Sequence, residues 1–313
     1  MKIVFMGTPD FSVRVLKDLH EKYPVSLVVT QPDKQVGRKK IVTFSPVKIA
    51  AIELGIEVFQ PVKIRNDYER ILQEKPDIII TAAYGQIIPK IVLDNPQYGA
   101  INVHGSLLPL LRGGAPIQRS IKRLHNTTGI TIMYMAMKMD SGDIITQRSI
   151  PILKDDTSGT LFEKLSYLGS DLLLETLPTI FEGTNKRIPQ DEYLVSYAYN
   201  LKREEEVINW DQEAQLIDAH LRAFTPTPSC YTTIDDKQIK IYNTLFSLDL
   251  KEADESKANG SIVIIEKEKI GVKVRNGYIY IYEVQLSGKK RQDIKTFMNG
   301  AGRNIIIIDK VFK

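Results

Sequence analysis

Short apolar runs alternate with amphipathic stretches through the first half of the chain, and that alternation sets the predicted elements. Residues 2–6 read as a buried strand; Gly7-Thr8-Pro9-Asp10 then supplies a tight turn, with Thr8 as helix N-cap and Pro9 at the first helical position, and a helix runs to about His20. Strands are predicted at 25–30, 55–59 and 77–81, with helices near 46–54 and 66–74. A fifth strand ends at Val103, a helix follows Ala115-Pro116, and 131–135 with 143–150 form an antiparallel extension before a long helix at 161–181. Strands alternating with helices need crossover connections, so an α/β domain with a doubly wound, largely parallel sheet is expected.

The pattern changes after Gly183. Residues 185–206, with Pro189 and the string Tyr193-Leu-Val-Ser-Tyr197-Ala-Tyr199, have no clean period and read as a crossing between domains. Beyond them an amphipathic helix (213–224) precedes short alternating runs at 230–234, 237–242, 261–266, 271–275 and 278–285, the pattern of a small β-barrel. The expected organisation is therefore an α/β domain at 1–188, a linker at 189–206 and a barrel domain at 207–313.

Composition fits that division. The 313 residues, 43% hydrophobic, suffice for two cores at about 150 residues per domain. The single cysteine, Cys230, excludes an internal disulfide framework and a cysteine-based zinc site. No run approaches the ~18 apolar residues of a membrane span, and the apolar opening is too short for a secretory leader, so a cytoplasmic protein is expected. Net charge is only +4, and residues 207–313 carry 16 basic against 14 acidic side chains; a nucleic-acid partner would have to be held by local patches. One such patch is Gln31-Pro-Asp-Lys-Gln-Val-Gly-Arg-Lys-Lys40, with four basic groups and one acid, which reads either as a phosphate-gripping loop or as a solvated connection. A weaker basic set, Lys267, Lys269, Lys273 and Arg275 with residues 288–291, is interleaved with Glu266 and Glu268.

Candidate chemistry concentrates where the fifth strand ends. The run Gly-Ala-Ile-Asn-Val-His-Gly-Ser-Leu-Leu-Pro (99–109) stops at a polar, glycine-containing loop, on the carboxyl edge where open α/β sheets bind ligands. Strand side chains alternate, so Asn102 and His104 face the same way: a carbonyl-polarising amide beside a proton-transfer group. Either residue alone also fits an ordinary turn. Met139-Asp140-Ser-Gly-Asp143 likewise reads as a turn, but folded back against His104 its Asp140 would orient the imidazole and help accept protons from an attacking amine. Gly7-Thr-Pro-Asp10 lacks the glycines of a dinucleotide fingerprint and sets a carboxylate where a pyrophosphate would sit, which argues against a nicotinamide or flavin cofactor. His20, His125 and His220 have no metal-ligand spacing, and no metal is expected.

These residues give the chain its resemblance to the methionyl-tRNA formyltransferases, a branch of the 10-formyltetrahydrofolate-dependent formyltransferase family. The resemblance runs end to end, through 7–11, 31–33 with 37–40, 45–48, 59–61, 83–85, 102–109, Arg112-Gly113 with 115–119, 129–133, Asp140-x-Gly-Asp143 and 156–160. Asn-x-His-x-Ser-Leu-Leu-Pro with the distal aspartate marks the wider family, which includes glycinamide ribonucleotide and amino-sugar enzymes; the basic loop and Gly-Thr-Pro-Asp-Phe narrow it to the tRNA branch. Leu110-Leu111 depart from the basic and aromatic residues usual there. The resemblance implies a Rossmann-like N-terminal domain and an OB-like C-terminal barrel. It implies transfer of a formyl group from 10-formyltetrahydrofolate, as co-substrate, to the methionine α-amine on initiator tRNA. Asn102, His104 and Asp140 would be catalytic, Tyr84, Gly85, Ser106, Leu107, Leu108 and Pro109 would hold folate, and Arg38, Lys39, Lys40 and Lys202 would face tRNA. No membrane partner is expected, and the chain is read as a monomer. Two rival readings remain: the same chemistry on a nucleotide-linked amino sugar, and a non-catalytic RNA-binding protein.

Overall fold

The computed structural model describes residues 1–36 and 41–313. Two compact units divide the chain, one of Met1–Pro116, Thr127–Pro151 and Phe162–Asn200, the other of Ile117–Asn126, Ile152–Leu161 and Leu201–Lys313.

The chain enters as β1 (Ile3–Gly7), α1 (Asp10–Lys22), β2 (Val25–Val29), β3 (Lys34–Val36), β4 (Ile41–Thr43), α2 (Pro46–Glu53), β5 (Glu57–Phe59), α3 (Glu69–Glu74), β6 (Ile78–Ala82), α4 (Lys90–Leu93) and β7 (Ala100–His104). It continues through α5 (Pro116–Lys122), β8 (Thr127–Tyr134), β9 (Ile144–Pro151) and α6 (Ser158–Phe181). A seven-stranded sheet of order β5-β2-β1-β6-β7-β8-β9 forms the first unit. Its first five strands are parallel, while β8 and β9 pair antiparallel. Every residue of β1 and β6 is buried, as expected of strands covered on both faces. Strand order reverses between β1 and β6, which places the switch point of a Rossmann-like sheet at their carboxyl ends.

Two local expectations change. Thr8 does not cap α1: its hydroxyl donates to Tyr84 O at 2.9 Å, and the N-cap position falls to Pro9. A partner in another loop has drawn the hydroxyl away from the helix start. The connection after β2 begins and ends as a hairpin, with Lys34 opposite Thr43 and Val36 opposite Ile41. β4 is three residues long, and with Ile41 at 62% and Val42 at 56% exposure it carries no half-buried alternation from which to read it. Arg38, Lys39 and Lys40 lie outside the described residues.

The second unit contains α7 (Ala214–Phe224), β10 (Cys230–Ile234), β11 (Lys237–Ile241), β12 (Thr244–Ser247), β13 (Ile262–Ile265), β14 (Ile270–Val274), β15 (Gly277–Ile281) and β16 (Glu283–Leu286). Its strands form two antiparallel sheets, β10-β11-β16 with Gln292–Asp293 at the edge, and β12-β15-β14-β13. The run expected at 278–285 is therefore two strands, one in each sheet, and the change of sheet falls at Tyr282, whose N–H donates to Asn243 O at 2.9 Å. Among the described residues no helix is long and apolar enough to cross a membrane.

A charged cluster closes this unit. Glu205 accepts from Arg119 at 2.6 and 2.8 Å, from Lys122 Nζ at 2.8 Å and from the Lys202 N–H at 3.0 Å, and these donors hold its carboxyl far below the usual carboxylate range. The Glu205 carbonyl sits 2.7 Å from His220 Nε2, and the imidazole stacks on Phe224. Burial first, and then the nearby Lys122 ammonium, bring His220 down to about 4. His220 is thus neutral in the fold but binds a proton in the unfolded chain below about pH 6.5, so stability is full above that pH and drains as pH falls to about 4. Glu205, depressed in the fold, adds a further loss below about 4.5. Urea unfolding between pH 7 and 4 should show a slope approaching 1.4 kcal/mol per pH unit, which His220→Gln flattens. An unaltered slope in that variant would assign the acid sensitivity elsewhere.

Candidate active site

Asn102 and Thr81 are partners across β7 and β6. Thr81 Oγ1 donates to Asn102 Oδ1 at 2.7 Å, which fixes the amide and leaves the Asn102 Nδ2 donors without a partner among the described residues. Two residues on, His104 ends β7 at 5% exposure, with Nε2 3.2 Å from Leu111 O and Nδ1 3.7 Å from Asp140 Oδ2. Asp140 occupies the turn between β8 and β9 in a left-handed conformation, φ 47°, and its carboxylate accepts the Gly113 N–H at 2.8 Å. The antiparallel pairing of β8 with β7 is what carries this turn back to His104. The structure thus brings the three polar residues of the sequence pattern to one end of the sheet.

The loop that follows is held from the same strands. Thr131 Oγ1 donates to Ser106 O at 2.6 Å and accepts from Leu108 N at 3.1 Å, while Gln147 Nε2 donates to Leu108 O at 2.8 Å. Leu108 packs with Met133 and Ile144, and Ser106 Oγ donates to Leu110 O. The Tyr84 ring is a core side chain: it is 4% exposed among Val4, Met6, Leu27 and Ile79, its hydroxyl has no partner among the described residues, and burial pushes its phenol up. The Tyr84 side chain therefore anchors in the core the segment expected to contact folate. Its carbonyl is also engaged, by Thr8 and Gln31. Gly85 is exposed with φ 89°, Ile87 two residues on stands 83% exposed, and Leu107 and Pro109 are half-buried. Lys202 is exposed at the start of the turn that holds Glu205.

Sequence reasoning passed over the residues that hold this arrangement. Arg112 is 2% exposed, donating from Nε to Gln190 Oε1 at 3.0 Å and from its terminal nitrogens to Glu192, at 2.8 Å for the shorter contact. Arg112 holds the Glu192 carboxyl below its ordinary range. Gln190 Nε2 in turn donates to the carbonyls of Asp140 and Gly142, both at 2.8 Å. Residues 196–198 run beside the loop, with Arg112 N donating to Ser196 O at 2.9 Å and Ala198 N to Arg112 O at 2.7 Å. Gln190 sits in an aperiodic stretch with no local signal, and Arg112 carries meaning only with its distant partners. Leu111, where the sequence departs from the family pattern, is buried at φ 61° and presents its carbonyl to His104. An amide with free donors beside an imidazole backed by a carboxylate can stabilise charge developing on an oxygen and carry protons.

The chain matches the family described as formyl transferase over residues 1–177 and the formyl transferase C-terminal domain over residues 200–302. It is 47% identical over 312 residues to the methionyl-tRNA formyltransferase of Lysinibacillus sphaericus, covering 98% of each chain, and 45% identical to that of Macrococcus caseolyticus, covering 97% of each. Among solved structures its fold is similar to HypX from Aquifex aeolicus in complex with tetrahydrofolic acid, with a TM-score of 0.66 at 16% identity over all of this chain and 51% of that one. An N-formyltransferase from Helicobacter canadensis, in complex with folinic acid and dTDP-3-aminofucose, is similar with a TM-score of 0.66 at 18% identity, over 93% of this chain and all of that one.

Gly113, whose N–H binds Asp140, is closely packed against residue 198. Its φ is 130°, and a Cβ there would stand 2.6 Å from Ala198 O. Gly113→Ala should therefore cost about 3 kcal/mol in urea unfolding, from strained backbone and overpacking together. Gly183→Ala, with φ 69° but nothing within 4 Å, should cost only about 1–2 kcal/mol from left-handed backbone. Equal costs would mean that the 196–198 segment yields freely.

Proposed function

The chain belongs to the formyl transferase family, and we propose that it transfers the formyl group of 10-formyltetrahydrofolate to the α-amino group of the methionine on initiator methionyl-tRNA. What carries this reading is similarity at 45–47% identity, over nearly the whole chain, to relatives that bear this activity in their names. The N-formyltransferase from Helicobacter canadensis is similar at 18% identity and speaks for the fold alone.

In this reading the Asn102 Nδ2 donors meet the negative charge that develops on the formyl oxygen as the amine attacks. His104 takes the amine proton and delivers it to the folate nitrogen as the old formyl C–N bond breaks and tetrahydrofolate leaves, while Asp140 holds the imidazole and steadies the charge it carries between the two steps. The co-substrate supplies an activated formyl group on a folate nitrogen. Exposed Ile87, the loop at Leu107 and Pro109, and the backbone at Gly85 support a folate site at the ends of β6 and β7. Residues 1–188 are assigned the chemistry, 189–206 the linker and 207–313 the tRNA contacts, with Arg38, Lys39, Lys40 and Lys202 facing tRNA. The passage of the chain from β15 in one sheet to β16 in the other supports an OB-like reading of the second unit. A cytoplasmic monomer accords with the lone cysteine, which is buried with its thiol pushed up.

Formylation of methionyl initiator tRNA with 10-formyltetrahydrofolate, against methionyl elongator tRNA and a nucleotide-linked amino sugar, tests the proposal; turnover of the sugar alone would overturn it. His104→Ala and Asn102→Ala should each lower kcat/KM by at least about 100-fold in folded protein, and Asp140→Asn comparably. Near-normal turnover would remove the residue concerned from the mechanism. Arg38→Ala should lower the preference for initiator tRNA more than Lys39→Ala, because a planar guanidinium bonds phosphate or a base edge bidentately. Kinetics on the two tRNAs would reveal the opposite order if Lys39 were the principal contact.

A further inference from the structure

Asp140 approaches His104 from a turn whose position is set by contacts outside it. The carboxylate Oδ2 lies 3.7 Å from Nδ1, longer than a normal hydrogen bond, while the same oxygen accepts the Gly113 N–H at 2.8 Å. The backbone of Asp140 is left-handed, at φ 47°, a conformation that side chains disfavour. A small displacement of the turn therefore decides how far the acid reaches toward the imidazole.

The hold comes from the segment after α6. Ile188 and Ile144 exchange both of their backbone bonds, at 2.8 and 2.9 Å, which lays this segment against the start of β9. Two residues on, Gln190 Nε2 donates to Asp140 O and Gly142 O, both at 2.8 Å, and Oε1 accepts from Arg112 Nε at 3.0 Å. The chemistry of the partners fixes which way the amide faces, because a guanidinium only donates and the two carbonyls only accept. The amide cannot turn over without losing all three bonds, and Arg112 is itself buried at 2% exposure.

We propose that Gln190, within the stretch read from sequence as a crossing between domains, is a positioning residue for the proton transfer: it sets the reach of Asp140 to His104. The inference rests on the functional reading above, in which Asp140 steadies the charge on the imidazole. Misplacing a reacting or proton-handling group by about 1 Å costs on the order of 100-fold in rate. Gln190 acts through Asp140, so its loss falls on kcat and spares KM. The chemistry thereby extends past residue 188.

The test uses the full chain as Gln190→Glu, which keeps the shape and an acceptor for Arg112 but removes both donors to the turn. It should lower kcat about tenfold or more, with KM for methionyl-tRNA and for 10-formyltetrahydrofolate within about twofold of wild type. In an Asp140→Asn background the same change should cost nothing further, since the two residues act as one unit. Amide exchange at Gly113, whose N–H binds Asp140, should quicken, while that of Ala115, whose N–H donates to Ala198 O, stays unchanged. Gln190→Met serves if the glutamate variant does not fold. Wild-type kcat, a loss that multiplies with that of Asp140→Asn, a change confined to KM, or unaltered exchange at Gly113 would each overturn the assignment. Exchange is read without turnover, so a wild-type chain that formylated no methionyl-tRNA would overturn the functional reading separately.

Discussion

A guanidinium taken out of water must find partners for its N–H groups, and Arg112 is almost wholly enclosed. The requirement reaches far along the sequence. Arg112 draws in Gln190 and Glu192, the same Gln190 binds the turn that carries Asp140, and the backbone of Arg112 pairs with residues 196 and 198. Remove this one buried cation, and the segments that hold Asp140 at His104 lose their common anchor.

The sheet supplies the other half of the geometry. Parallel strands β6 and β7 end together, so Thr81 can lock the Asn102 amide from the neighbouring strand. The antiparallel turn beyond them returns an acid to the imidazole from a position 36 residues downstream. The parallel part of the sheet therefore positions the Asn102 amide and the antiparallel part positions the Asp140 carboxylate.

Much of this was legible because burial on both faces writes itself as continuous apolar runs; β1, β2, β6 and β7 fall within a residue or so of where those runs predict them. The hairpin at β3 and β4 was not, since the exposed side chains of β4 impose no pattern. Nor was the break at Tyr282, where alternation continues while the backbone changes sheet. At the site, Asn102 and His104 could be read from strand alternation alone, and Asp140 only with the help of resemblance. Thr81, Arg112 and Gln190 remained silent because their roles are defined by partners dozens of residues away. Tyr84 shows the converse: its motif is legible, but only packing reveals that its ring points into the core.

The second unit reaches into the middle of the chain for 117–126 and 152–161. Glu205 meets Arg119 and Lys122 from the first of these segments, and from the second Ser158 donates to Thr225 O while the Asp156 carbonyl receives Arg222. Such interleaving constrains inheritance. A recombination between divergent relatives with a single crossover at 162–200 would join Glu205 from one lineage to Arg119 and Lys122 from the other. Exchange of the C-terminal half between relatives therefore keeps these contacts matched only when two short, distant segments travel with it.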